Sequence, residues 1–234
     1  MDTNFEGLDA GSEHYKAYVG PPKKYDIVGA MQFNLLTSMG LRDYHKLLDI
    51  GCGSLRAGKL MIPYLRSGNY YGMEPNDWLI QEGIEHELGK EIIDLKSPNF
   101  SNSENFELQV FGEKFDYLIA QSIFSHASPS QIMQCLKEAK AVMNQDAIFL
   151  ATFVLGKEDY EGSEWVYPGC VTFKEKTIER MISNADLVCR KLKWRHPNGQ
   201  TWFAISQPTK SIDAQKEIKR LSKVDFVRYE EEIQ

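Results

Sequence analysis

The stretch LDIGCGSLRAG, Leu48 to Gly58, carries the densest chemical information in the chain. Gly51 and Gly53 let the backbone turn sharply and approach a ligand with no Cβ in the way. The pair is preceded by Asp49, follows the apolar residues Leu47, Leu48 and Ile50, and opens a helical pattern. A second acid, Glu74, lies 21 residues past Gly53, at the end of the run NYYGMEPN. A carboxylate there can accept both hydroxyls of a ribose, so the two features together point to a nucleoside-containing cofactor. A dinucleotide fingerprint would place a third glycine at position 56, to bring a helix N-terminus onto a pyrophosphate. Arg56 stands there instead, with a glycine only at Gly58.

Two further segments hold groups able to do chemistry. AQSIFSHAS, Ala120 to Ser128, ends the clearest apolar run and carries Gln121 and His126. Histidine exchanges protons near neutral pH, which makes His126 the best-placed general base; the alternative is a structural histidine bonded to the helix that follows. LGKEDYEGSEWVYPG, Leu155 to Gly169, is long, aromatic and glycine-containing, as a substrate loop would be. It offers Glu161, Trp165 and Tyr167 as acceptor-side residues, with Trp165 equally suited to anchoring the packing. His196 reads as structural. The cysteines, Cys52, Cys135, Cys170 and Cys189, form no CxxC pair, so reduced thiols are expected and no metal site.

Residues 1–20 read as loosely ordered, and VGPP (Val19 to Pro22) as a turn. Helical spacing runs from Tyr25 to Leu41, closed by Gly40. A strand ends at Ile50, with a helix over Arg56 to Leu65. Another strand covers Asn69 to Asn76, with a helix over Trp78 to Leu95. A poorly marked strand falls within 98–111. FDYLIAQSIF (Phe115 to Phe124) is a buried strand, and Pro129 to Met143 a helix with Ser128 as N-cap. AIFLATFVL (Ala147 to Leu155) is a strand and Thr172 to Asn184 a helix. LVCRKLKWRH and TWFAIS then flank PNGQ, where Asn198-Gly199 signals a hairpin. The alternation predicts a Rossmann-like, doubly wound α/β fold with a mostly parallel seven-stranded sheet and a C-terminal antiparallel hairpin. Ligands in such sheets sit beyond the C-terminal strand ends, which gathers the loops after Ile50, Gly72 and Ala120 around one cleft.

D-I-G-C-G, the acid in G-M-E-P-N, the FDYLIAQS strand and the terminal hairpin resemble the motifs of class I S-adenosylmethionine (SAM)-dependent methyltransferases, over roughly residues 43–207. VGPPKKYDIVGAMQFNLL resembles the lead-in of a bacterial and phage subgroup associated with glycan or small-molecule modification. The resemblance implies SAM as cofactor, held by Asp49, Gly51, Gly53 and Glu74. SAM carries a carboxylate and an ammonium but no phosphate. Arg56 then either holds the carboxylate or is a solvated first-turn residue. Asp49 either serves the ammonium side or caps the loop. Gln121 joins the cofactor set. An acid that commonly contacts the adenine amino group has no clear counterpart; spacing points to Glu104 or Asn105, with Asn105 taken as the candidate. The segment after the fourth strand is implied to face the transferred methyl, which gives His126 its role. Amine-methylating signatures such as NPPY are absent there, disfavouring nucleobase amino groups. Tyr25 and Gln32 in the lead-in helix either fold over the cofactor or merely pack.

The chain has 234 residues and a net charge of −6, with no apolar run long enough for a membrane span and no signal-like start. A nucleic-acid binder shows a basic face; the one dense basic stretch, Arg190 to His196, alternates as a half-exposed strand would. The expected partner is a small-molecule or glycan acceptor in the cytoplasm, not nucleic acid or membrane, with a homodimer open. The expected division is 1–42 as N-terminal extension and lead-in helix, 43–207 as the SAM-binding domain, and 208–234 as a charged helix or tail. The expected activity is O-methylation of a small molecule or saccharide. A dinucleotide-dependent oxidoreductase and a non-catalytic SAM-binding module are the alternatives.

Overall fold

The computed structural model describes residues 4–209, so the expected helix or tail over 208–234 lies almost wholly outside them. The strands are β1 (Leu47–Ile50), β2 (Tyr70–Met73), β3 (Asn99–Ser101), β4 (Phe115–Ala120), β5 (Met143–Phe153), β6 (Val188–Lys191) and β7 (Thr201–Ser206). They form one seven-stranded sheet in the order β3-β2-β1-β4-β5-β7-β6. The pairs from β3 to β5 are parallel, and β7 runs antiparallel to both β5 and β6. The helices are α1 (Tyr15–Tyr18), α2 (Tyr25–Ser38), α3 (Gly58–Tyr64), α4 (Asp77–Gly83), α5 (Lys90–Lys96), α6 (Pro129–Val142) and α7 (Glu175–Asn184).

Burial on both faces explains why the strands read as near-continuous apolar runs. Leu48, Ile50, Leu118, Ala120, Phe149 and Phe153 pack with α6 and α7. Their sequence neighbours Leu47, Ile119, Ile148 and Leu150 pack with α2 and α3 on the opposite face. Helix α6 begins as the sequence indicates: Ser128 accepts from the Gln131 N–H while the Gln131 side chain returns to Ser128, and Pro129 takes the first position.

Four expectations are corrected. The helix expected from Trp78 to Leu95 is three pieces, because α4 widens into a π turn over Ile84–Leu88 and stops at Gly89, whose φ of +86° no helix continues. The strand expected to reach His196 pairs only to Lys191, after which residues 193–200 form a wide loop turning at Gly199 (φ +71°). Residues 1–20 are not loose where described. Asn4–Gly7 is a 3-10 turn, and α1 is tied down by hydrogen bonds from the Tyr15 hydroxyl to Glu87 (2.9 Å) and from Ser54 Oγ to the Tyr15 carbonyl (2.8 Å). Strand β4 also ends at Ala120 rather than Phe124, since Ser122 turns to φ +60°.

Candidate active site

The C-terminal ends of β1, β2, β4 and β5 open onto a cavity of about 360 Å³. Gly51, Gly53, Arg56, Glu74, Gln121, His126, Trp165 and Tyr167 all line it, so one space gathers most of the residues singled out by sequence. The sheet order explains the grouping: the glycine loop follows β1, Glu74 follows its neighbour β2, and His126 and Trp165 follow β4 and β5 on the other side.

The glycine loop is set by backbone conformation. Gly51 and Gly53 have φ of +71° and +54°, and a Cβ on Gly51 would collide with the Ile123 side chain. The Gly51 and Cys52 N–H groups both donate to the Met73 carbonyl, at 2.8 and 3.0 Å, which pins the loop to β2. Glu74 closes the turn from the other side. Its Oε2 accepts from Gly53 N–H (3.1 Å) and its Oε1 from the Asn76 backbone and side-chain nitrogens (3.0 and 2.9 Å). Burial raises the Glu74 carboxyl above its usual range, and these donors pull against it. Oε2 keeps a lone pair beyond its single bond while Oε1 already accepts two, so a ligand offering two hydroxyl donors would take Oε2 directly and Oε1 in place of one of the Asn76 donors.

Arg56 is buried, and burial lowers it to about 10. Its Nη1 donates to the Val19 carbonyl (2.7 Å) and its Nη2 to Gln121 Oε1, while Nε has no partner. No carboxylate lies within ion-pair reach of it among the described residues. The Nε–Nη2 edge, one of the two forks a guanidinium offers a carboxylate, is therefore held only by an amide oxygen. The Gln121 amide is itself overcommitted. His196 Nδ1 sits 3.1 Å from the Asn198 backbone N–H, a group that only donates. Burial first, then Arg56 and Lys24, push His196 down to about 3, so the ring is neutral and its single hydrogen is on Nε2. That Nε2 lies 2.9 Å from Gln121 Nε2. Two obligate donors, Arg56 Nη2 and His196 Nε2, thus converge on an amide with one acceptor atom, whichever way the amide is turned. The buried network is one acceptor short, and an anionic oxygen beside Arg56 would complete it.

Asp49 does not line the main cavity. It borders an adjoining space of about 20 Å³ with Gln32, Gly51 and Arg56. Its Oδ2 accepts from the Tyr70 hydroxyl at 2.8 Å, and burial raises its carboxyl to about 6. Gln32 Oε1 is buried there without a partner. The space therefore presents acceptors, Gln32 Oε1 and Asp49, directly beside the Arg56 donors, the arrangement an amino-acid zwitterion matches. Tyr25 is packed and donates to the Ser54 carbonyl (2.7 Å), so in the lead-in helix Gln32, not Tyr25, faces this space.

His126 is held at one nitrogen. Nδ1 lies 2.9 Å from the Val166 carbonyl and 2.7 Å from the Gly169 carbonyl. Carbonyls only accept, so Nδ1 carries the hydrogen and the neutral ring keeps its lone pair on Nε2. Burial lowers the ring's pKa, with the two carbonyls opposing it. The same loop is stitched to the strand-4 turn by Val166 N–H to the His126 carbonyl (2.8 Å) and Val171 N–H to the Ser125 carbonyl (2.7 Å). Trp165 and Tyr167 pack on the ring with centroids at 5.6 and 5.1 Å.

Two candidates are not brought in. Asn105 is exposed beyond β3 and lines no part of the cavity, because β3 is only three residues long and the chain turns away after Ser101. Glu161 is also exposed, since the loop returns inward only from Trp165 onward. Conversely, Tyr18, Asn76, Ser122, Asn198 and Gln200 line the cavity without having been singled out for a site. Only Asn198 carried a local signal, the hairpin-type Asn-Gly pair. The others arrive through tertiary folding: Gln200 reaches from the hairpin loop to Ser122 Oγ (2.6 Å), and Tyr18 packs on Tyr167 at 5.2 Å.

The strand order and antiparallel terminal hairpin define the Rossmann-like methyltransferase fold. Solved structures sharing it include magnesium protoporphyrin IX methyltransferase from Synechocystis PCC 6803 with bound SAM, at TM-score 0.58 and 14% identity over 78% of this chain and 82% of that one. The CcbJ methyltransferase from Streptomyces caelestis matches at TM-score 0.58 and 12% identity over 80% of this chain and 97% of that one. The glycopeptide N-methyltransferase MtfA complexed with sinefungin matches at 0.59 and 8% identity over 77% and 94%. No family model matches the chain, and no curated protein matches it in sequence.

Proposed function

We propose that this protein is a SAM-dependent methyltransferase directed at an oxygen of a small molecule or saccharide. The observation that carries the reading is the single cavity lined by Glu74, Arg56 with its open edge, and His126. The residues fit SAM. Glu74 takes the ribose hydroxyls. The Nε–Nη2 edge of Arg56 takes the carboxylate and relieves the acceptor shortage at Gln121. Asp49 and Gln32 Oε1 take the ammonium. The backbone at Gly51 and Gly53 leaves room that a side chain would fill. A dinucleotide fits less well, because the position needed for the third glycine is filled by a buried arginine and α3 starts only at Gly58.

When bound, SAM supplies an activated methyl group on a sulfonium. The chain's own part is alignment and proton removal. His126 Nε2 accepts the proton of the acceptor hydroxyl. The Val166 and Gly169 carbonyls fix the tautomer that makes this possible and stabilise the imidazolium that results. Burial lowers the His126 pKa, which favours the base form at neutral pH. Trp165 and Tyr167 wall the ring and exclude water from its face.

The test is calorimetry of the full chain with S-adenosylhomocysteine and with NAD. Micromolar binding of the first and none of the second supports the reading; the reverse sinks it. Conversion of added SAM to S-adenosylhomocysteine, with the methyl group recovered on an alcohol or phenol, then separates an enzyme from a non-catalytic binding module.

A further inference from the structure

At the end of the cavity nearest His126 the lining carries no charge. Among the described residues that line the whole cavity, only Arg56 and Glu74 are charged, and both lie on the glycine-loop side. The rest of the lining includes the uncharged Ile123, Val154, Trp165, Tyr167, Pro168 and Cys170, of which Trp165 and Tyr167 pack on the His126 ring. The Tyr167 hydroxyl is already committed to the Tyr18 carbonyl, so this residue offers its ring face rather than a polar group. The Trp165 indole is 41% exposed, lines the cavity and packs beside the His126 ring, leaving flat apolar surface uncovered. The loop that bears it, Leu155 to Gly169, carries four carboxylates, Glu158, Asp159, Glu161 and Glu164, against the single lysine Lys157. The loop is therefore net negative, and a phosphate or carboxylate on the acceptor would enter a wall with no cation to pair with; burying an unpaired charge is strongly unfavourable.

We propose that the acceptor is an uncharged, ring-bearing alcohol whose flat face stacks on Trp165, and that phosphate- or carboxylate-bearing acceptors, nucleotide-linked sugars among them, are rejected. The inference rests on the methyltransferase reading and names its substrate class. A phenol and a pyranoside share this chemistry: each offers a ring face to the indole and a hydroxyl to His126.

Ligand-observed NMR on the full chain saturated with S-adenosylhomocysteine tests it with matched probes. Guaiacol is compared with vanillate, which adds a carboxylate, and methyl β-D-glucopyranoside with methyl β-D-glucuronide. At least one uncharged probe is expected to bind about tenfold or more tightly than its charged twin. Which pair responds assigns the ring as phenol or sugar. Trp165→Ala, its fold checked by circular dichroism, is expected to abolish the signal. Cys170→Arg, which places a cation on an exposed part of the same wall, is expected to narrow or invert the preference. Equal or tighter binding of the charged twins to the native chain overturns the proposal. So does unchanged binding in folded Trp165→Ala, and so does the absence of binding by any uncharged probe while S-adenosylhomocysteine binds. Failure of S-adenosylhomocysteine itself to bind overturns the underlying methyltransferase reading instead.

Discussion

Gln121→Glu should stabilise the free protein and weaken its hold on cofactor, two effects that an ordinary site mutation does not combine. The buried network presents two obligate donors, Arg56 Nη2–H and His196 Nε2–H, to an amide with one acceptor. A carboxylate of nearly the same shape accepts from both. The His196 bond is new and the existing Arg56 bond becomes an ion pair, each change worth about 1.5–3 kcal/mol, against several kcal/mol for burying the new charge and losing the bond from the Gln121 amide to Ser122 Oγ. Pairing with the buried Arg56 leaves a net gain of roughly 1 kcal/mol, or about 2–4 °C in Tm for a chain of this size. A cofactor carboxylate on the same Arg56 guanidinium would face that charge across one guanidinium width, about 5 Å. Repulsion there is about 3 kcal/mol at an effective dielectric of ~20, close to a hundredfold in Kd. Calorimetric melting without ligand and titration with S-adenosylhomocysteine read the two halves separately. A variant that melts lower than the native chain would refute the acceptor shortage. One that melts higher but binds S-adenosylhomocysteine normally would refute the placement of the cofactor carboxylate at Arg56.

Four other outcomes are expected. His126→Ala should lower kcat by ~10²–10⁴-fold with cofactor affinity unchanged, and His126→Gln should not restore it; the native rate should rise with pH through an apparent pKa below the histidine reference of about 6.5, since burial lowers the ring. Near-normal turnover in His126→Gln would show that alignment suffices. Asp49 is raised to about 6 by burial against an ordinary value of 3.8, so the folded chain holds a proton that the unfolded chain has lost between those pH values. Stability should therefore fall as pH rises through that window and level off above it, and Asp49→Asn should flatten the slope in melts from pH 3.5 to 7. Glu74→Ala should weaken S-adenosylhomocysteine binding by roughly 1–3 kcal/mol, because a charged acceptor of two hydroxyl bonds is lost; unchanged affinity in a folded variant would remove the ribose assignment. Gly51→Val should lose both stability and cofactor binding, since position 51 has φ +71° and its Cβ would strike Ile123; trimming the obstacle with Ile123→Ala should recover only part, because the backbone strain remains.

The local sequence was sufficient wherever the physics was local. Leu47 to Ile50 and Phe115 to Ala120 are apolar on both faces because each lies between two helical layers, so their runs announced interior parallel strands. Gly51 and Gly53 sit at positive φ, which few other residues tolerate, so their spacing marked the loop. Glu74 was legible for a similar reason: a strand-ending acid at a fixed distance from that loop has few places to go. Ser128, Pro129 and Gln131 set the start of α6 through bonds within a few residues. What tertiary structure decided depends on contacts distant in sequence. That Arg56 is a buried cation without a carboxylate, and not a solvated first-turn residue, follows from Val19 and Gln121 closing over it. The neutral state of His196 and the strain it places on Gln121 come from a hairpin loop some seventy-five residues further along the chain. The lone pair of His126 is freed by the carbonyls of Val166 and Gly169, forty-odd residues away. Asn105 and Glu161 had the right residue types at reasonable spacings, yet their backbones turn outward, and no pattern of neighbours along the chain encodes that direction. Residue type and spacing thus fixed which groups could act, while the packing of distant segments determined their charge, their tautomer and the direction in which they act.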